Sequence, residues 1–183
     1  VPLLAAYGFF GAGYIAYMTY MIAWLREHGA SGGQVAAFWS GIGLAAMMSP
    51  WLWSGLMKRG LHGQAFSVLT ALTAGASALP LLVSEQGAVL VSAALFGSAF
   101  FAVVAATTTF VRRNIDRSSW TSAIGALTFM FGLGQTLGPV GVGVLSDARA
   151  GLSVGLWAST AALTAASLIS LFQRDFVSQR SRE

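Results

Sequence analysis

The 183-residue chain has no cysteine, which removes disulfides, thiolate metal sites and cysteine nucleophiles from consideration. Charge is scarce as well: Asp, Glu, Lys and Arg make up 9% of the residues, and neither these nor the two histidines fall within six long apolar stretches. His, Asp and Glu clusters spaced for a metal are missing, and Ser98, although it follows Gly97, has no histidine base inside a stretch. Metal catalysis and serine-protease chemistry are thereby set aside, no cofactor is expected, and the chain reads as a non-enzyme. The net charge of +4 is dispersed over gaps instead of concentrated on a phosphate-tracking face, so nucleic acid is not an expected partner.

What is present is apolar length. The stretches cover residues 2–25, 35–57, 65–83, 87–111, 121–145 and 154–172, and a bilayer core about 30 Å thick needs roughly 20 apolar residues rising 1.5 Å each. The composition, 56% hydrophobic, predicts an all-α polytopic protein with the lipid bilayer as its surroundings. Eight of the ten basic residues fall on alternate gaps: Lys58 and Arg59, then Arg112, Arg113 and Arg117, then Arg174, Arg180 and Arg182, leaving Arg26 and Arg149 on the other side. The positive-inside rule then places both ends of this segment in the cytoplasm. On that map Trp24, Trp39 and Trp157 lie near the outer interface and Trp51, Trp53 and Trp120 near the inner one. His28 and His62 sit in loops and are expected to be solvated. A segment of a longer polypeptide is expected, because the chain opens at Val1 and enters a span at once.

The chain also resembles itself. A shift of 86 residues sets Phe10-Gly11-Ala12-Gly13-Tyr14-Ile15-Ala16 on Phe96-Gly97-Ser98-Ala99-Phe100-Phe101-Ala102, and three residues more bring Ser49-Pro50 onto Gly138-Pro139. Two three-helix units follow, and because three is odd the second is inverted in the bilayer, a repeat pattern found in many secondary transporters. Intramembrane ionisable groups are the usual proton carriers in such proteins, so proton coupling would need a carrier outside this segment. The polar groups left within the spans are neutral. Tyr14 and Tyr17 in the first span, Phe100 in the fourth and Gln135 in the fifth are the candidate substrate contacts, with helix packing as the competing use of each. Pro50, Gly134, Gly138 and Pro139 are the candidate hinge and close-packing residues, since proline removes a helix hydrogen bond and small residues four apart let backbones approach.

The first-span run Gly11-Ala12-Gly13-Tyr14-Ile15 and the fifth-span run Phe131-Gly132-Leu133-Gly134-Gln135-Thr136-Leu137-Gly138-Pro139, followed by Gly143 and Asp147, resemble the carboxyl-terminal half of a major facilitator superfamily (MFS) transporter of the YbfB/YjiJ type. The resemblance implies helices seven to twelve of a twelve-helix protein in a bacterial inner (plasma) membrane, facing a homologous amino-terminal six-helix bundle. It also implies alternating-access movement of a small organic molecule, efflux being one possible direction, with the first and fourth spans facing the cavity. One landmark departs: in Gly55-Leu56-Met57-Lys58-Arg59-Gly60 a methionine stands where the family often has an acid. A six-helix membrane module that binds or scaffolds a partner without moving solute is the alternative, and a half-size transporter acting as a homodimer is a third.

Overall fold

The computed structural model describes residues 2–59, 63–83, 85–147 and 151–174. His62, Gly60, Arg149, Arg180 and Arg182, as well as the side chain of Arg59, lie outside the described residues.

Six helices cover the six apolar stretches: α1 (Pro2–Glu27), α2 (Gly32–Arg59), α3 (Gln64–Leu82), α4 (Gln86–Asn114), α5 (Trp120–Leu145) and α6 (Gly151–Leu171), with a 3-10 turn at Arg117–Ser119 before α5. Local chemistry sets several ends. Gly29, with φ of 79°, turns the chain after α1. Ser31 and Gln34 then exchange hydrogen bonds across the first turn of α2, Ser31 N–H to Gln34 Oε1 at 2.7 Å and Gln34 N–H to Ser31 Oγ at 3.3 Å, a capping box. This box starts α2 three residues ahead of its apolar run. At the far end of α2 the Arg113 guanidinium, from the last turn of α4, donates to the carbonyls of Met57 and Lys58. It thereby covers orphan carbonyls at a helix C-terminus.

Five of the helices, α2 to α6, are long and apolar enough to cross a membrane by composition. With 26 residues, α1 is about 39 Å long at 1.5 Å per residue, but four tyrosines dilute its hydropathy. Its neighbours compensate: Tyr7, Tyr14 and Tyr17 are all buried. By contrast α2 and α5 carry the broadest exposed apolar faces, with Leu44, Met47 and Trp51 on one and Phe129, Leu137, Val140 and Val144 on the other.

The packing repeats the symmetry of the sequence. Helix α1 packs against α5 and α6, α4 packs against α2 and α3, and α3 packs against α6. Exchanging the first three helices with the last three returns the same set of pairs. Leu3 and Phe110 line one groove while Tyr17 meets Ser92, so α1 and α4 run in opposite directions and the two units are inverted. Individual contacts obey the same relation. A Cβ on Gly11 would lie 2.5 Å from the Phe131 carbonyl oxygen, and one on Gly97 would lie 2.8 Å from Ile42 Cα; Gly11 and Gly97 are 86 apart, Ile42 and Phe131 are 89 apart. The offsets that align the sequence also align these two close helix crossings.

Hydroxyls hold the helices together where there is no apolar driving force between them. On α3 and α6, Ser67 Oγ meets Ser167 Oγ at 3.2 Å and Ser77 Oγ meets Thr160 Oγ1 at 2.9 Å. Ser159 of α6 donates to the Gly13 carbonyl of α1. Pro80 leaves the Ala76 carbonyl without its intrahelical donor, and Ser92 of α4 supplies one at 2.6 Å. With its proton so used, Ser92 accepts from the Tyr17 hydroxyl at 2.7 Å.

Candidate functional site

The centre of the bundle is an aromatic stack built on α1, α4 and α5. Phe10 and Tyr14 are one turn apart on α1 and therefore share a face; their rings stack at 5.4 Å. Phe131, from α5, lies 5.4 Å from the Tyr14 ring at an interplanar angle of 4°, and Phe100, from α4, lies 5.6 Å from it at 17°. These separations are those of offset stacked rings. Gln135, one turn beyond Phe131 on α5, donates from Nε2 to the Tyr14 hydroxyl. Three predicted contacts, Tyr14, Phe100 and Gln135, thus come together in one patch.

Tyr17 stands apart from that patch. It is fully buried, packs against Phe96 at 4.6 Å and Phe38 at 6.4 Å, and its hydroxyl is held by Ser92. Its hydroxyl joins the chain that runs through Ser92 to the Ala76 carbonyl. Access to the patch comes from the other side: Phe100, Phe131 and Gln135 are half-buried and Phe101 is exposed, while Tyr14 forms the back wall at 8% exposure.

The α1–α5 crossing fixes Gln135 in depth and direction. A Cβ on Gly134 would sit 2.9 Å from Ala12 N and collide with the Gly8 carbonyl; one on Gly138 would sit 2.6 Å from Ala12 Cα. The two glycines flank Gln135, so the backbone carrying the amide lies against α1. Pro139 removes the N–H that would bond the Gln135 carbonyl, yet α5 continues through it. The Tyr20 hydroxyl donates to the Pro139 carbonyl at 2.9 Å, and Gly143 leaves room for that hydroxyl. Pro50 lies within α2 on the exposed side, without a comparable crossing beside it.

Several residues of the site carry sequence signals that periodicity exposes only in retrospect. Phe131 and Phe10 each lie four residues before a polar candidate, Gln135 and Tyr14 respectively. Ser92 is signalled by nothing local, since its partner carbonyl is freed by a proline on another helix. Trp24 and Trp53 do more than mark interfaces: Trp24 Nε1 donates to Ser153 Oγ at 2.9 Å and Trp53 Nε1 to the Ser98 carbonyl at 2.8 Å. His28 is exposed, with its ring 4.0 Å from that of Trp24. At the other end Arg112 and Arg117 lie 5.6 and 5.7 Å from the Trp120 ring. Among the described residues no group of His, Asp or Glu is placed to hold a metal.

Two inverted three-helix units of long apolar helices, with a neutral aromatic and amide patch midway along α1, α4 and α5, define an integral membrane protein. The family model described as "Uncharacterised MFS-type transporter YbfB" matches residues 1–171, and the chain belongs to that family of MFS transporters. Family membership favours a transporter over both an enzyme and a non-transporting module. No curated protein matches the chain.

Proposed function

We propose that this chain is the carboxyl-terminal six-helix half of a secondary transporter that moves a small organic solute by alternating access. In this reading α1 and α4 face a central cavity closed on its other side by a homologous amino-terminal bundle. Tyr14, Phe100 and Gln135 contact the solute, Phe131 backs them, and Tyr17 holds the wall behind. Gly134, Gly138, Pro139 and Pro50 are the points about which the helices flex.

The observation that carries the reading is the Gln135–Tyr14 hydrogen bond set within parallel rings. A polar pair in hydrocarbon, half-open to one side, offers recognition without a buried charge. The setting is a bacterial inner membrane with both ends of the segment in the cytoplasm. Lys58, Arg112, Arg113, Arg117 and Arg174 favour that orientation, because all belong to the end opposite Arg26.

The test is transport by the full-length protein. Gln135→Ala and Tyr14→Phe lower the rate of solute movement while membrane insertion and abundance stay at wild-type level. Unchanged uptake and efflux kinetics in both variants remove these residues from the site.

A further inference from the structure

We infer that the patch takes a flat, uncharged aromatic solute carrying an amide-type group, a hydrogen-bond acceptor beside a donor. This inference rests on the proposed transport function and specifies its substrate class.

Shape is the first argument. Phe131 and Phe100 lie at 4° and 17° to the Tyr14 ring, at centroid separations of 5.4 and 5.6 Å. Phe100 and Phe131 are both partly open, so a planar ring laid on their exposed surface meets aromatic carbon continuous with the stack. A puckered aliphatic ring of the same size meets only the ring faces, without the offset stacking contact.

Hydrogen-bond valence is the second. The Gln135 amide has one acceptor oxygen and two N–H donors, of which one goes to the Tyr14 oxygen. Left over are Gln135 Oε1, its second N–H and the Tyr14 O–H, none with a further partner among the described residues. A solute carbonyl accepts from the Tyr14 O–H or the Gln135 N–H, and a solute N–H donates to Gln135 Oε1. An amide satisfies both; a hydrocarbon satisfies neither.

Charge is the third. The spans of this chain hold no Asp, Glu, Lys, Arg or His, so a carboxylate or ammonium at the patch finds no counter-charge here and loses its hydration. Neutral solutes carry no such cost.

The experiment uses the full-length protein and four matched probes: benzamide, cyclohexanecarboxamide, benzoate and benzamidine. Binding of radiolabelled benzamide is measured on purified protein with the other three as competitors, and counterflow of benzamide is measured in proteoliposomes. We expect benzamide to bind about 3- to 10-fold more tightly than cyclohexanecarboxamide and more tightly than both charged probes. Phe100→Leu narrows the first gap. Equal competition by cyclohexanecarboxamide, tighter binding of benzoate or benzamidine, or no benzamide binding each overturns the inference. Binding in the expected order without counterflow leaves the site as described and overturns the transport reading instead.

Discussion

The carbonyl that Pro80 frees gives the most exacting test of the packing. Ser92→Ala deletes one hydroxyl and breaks two interhelical bonds, the one Ser92 donates to Ala76 and the one it accepts from Tyr17. Ser92, Tyr17 and Ala76 are all buried, the first two fully, so neither orphaned group finds water. Interhelical hydrogen bonds in membranes average about 0.6 kcal/mol with a maximum near 1.7, and an unsatisfied buried group costs roughly 1–3 kcal/mol. For two broken bonds the expected loss is about 1–3 kcal/mol.

Pro80→Ala changes that figure in a defined direction. Alanine returns a backbone N–H to position 80, and the Ala76 carbonyl regains an intrahelical donor. In that background Ser92→Ala forfeits only the Tyr17 bond, so its cost falls by about half. Tyr17→Phe serves as the control: it removes the other bond alone, and its cost is indifferent to residue 80. Reversible unfolding of the full-length protein by steric trapping in bicelles gives the free energies of the single and double variants. A Ser92/Pro80 cycle that is additive within about 0.3–0.5 kcal/mol refutes the assignment of Ser92 as donor to the freed carbonyl.

Two further outcomes follow from the same contacts. Gly138→Leu, whose Cβ would sit 2.6 Å from Ala12 Cα, forces α1 and α5 apart and costs about 1–3 kcal/mol or more. Gly132→Ala on the same helix meets nothing within 4 Å and is neutral or stabilising by up to about 1 kcal/mol; melting temperatures from fluorescence-detected size exclusion separate the two. Because this segment has no cysteine, Ser31→Cys and Ser118→Cys place single thiols on its two exposed ends. A membrane-impermeant maleimide labels Ser31→Cys on intact cells and Ser118→Cys only after lysis, and the reverse pattern inverts the proposed topology.

The fold was legible because its main determinants are long-wavelength features of the sequence. Uninterrupted apolar runs give helices, and the short gaps between runs reverse the chain from one span to the next, although α1 and α2 and likewise α2 and α3 do not pack closely on each other. Even the pairing of helices is latent in the 86-residue offset, since equivalent helices inherit equivalent partners. End points were less legible: α2 begins at Gly32 through the Ser31–Gln34 box, and α4 runs past its apolar limit to Asn114, carrying Arg112 and Arg113 within its last turn. The site was legible in its polar members, because a glutamine or tyrosine in hydrocarbon stands out against its neighbours. Phe131 and Phe10 did not stand out, since phenylalanine in a span is ordinary and only its position under Tyr14 gives it meaning. Ser92 was beyond reach for a different reason. Its role depends on the register of α4 against α3, which no single span encodes.

The internal symmetry bears on how a solute would lie in the proposed site. Tyr14 and Phe100 are equivalent under the 86-residue shift, and they stack on each other, so the pseudo-twofold axis passes between them. On that axis the two walls match in packing but differ in chemistry. Phe131 and Gln135 of α5 correspond, at the 89-residue offset, to Ile42 and Ala46 of α2. The α1–α5 wall therefore carries a hydroxyl, an amide and an aromatic ring, whereas the equivalent positions on α4 and α2 are Phe100 and aliphatic residues, Ile42 being buried in the α2–α4 crossing. The crossings at Gly11 and Gly97 are alike, whereas the Tyr14–Gln135 pair has Phe100 and Ala46 as its equivalents, neither with a side-chain hydrogen-bonding group. In the proposed transporter a solute with a polar edge and a flat apolar body would therefore be oriented, with its edge toward α5 and its body against Phe100.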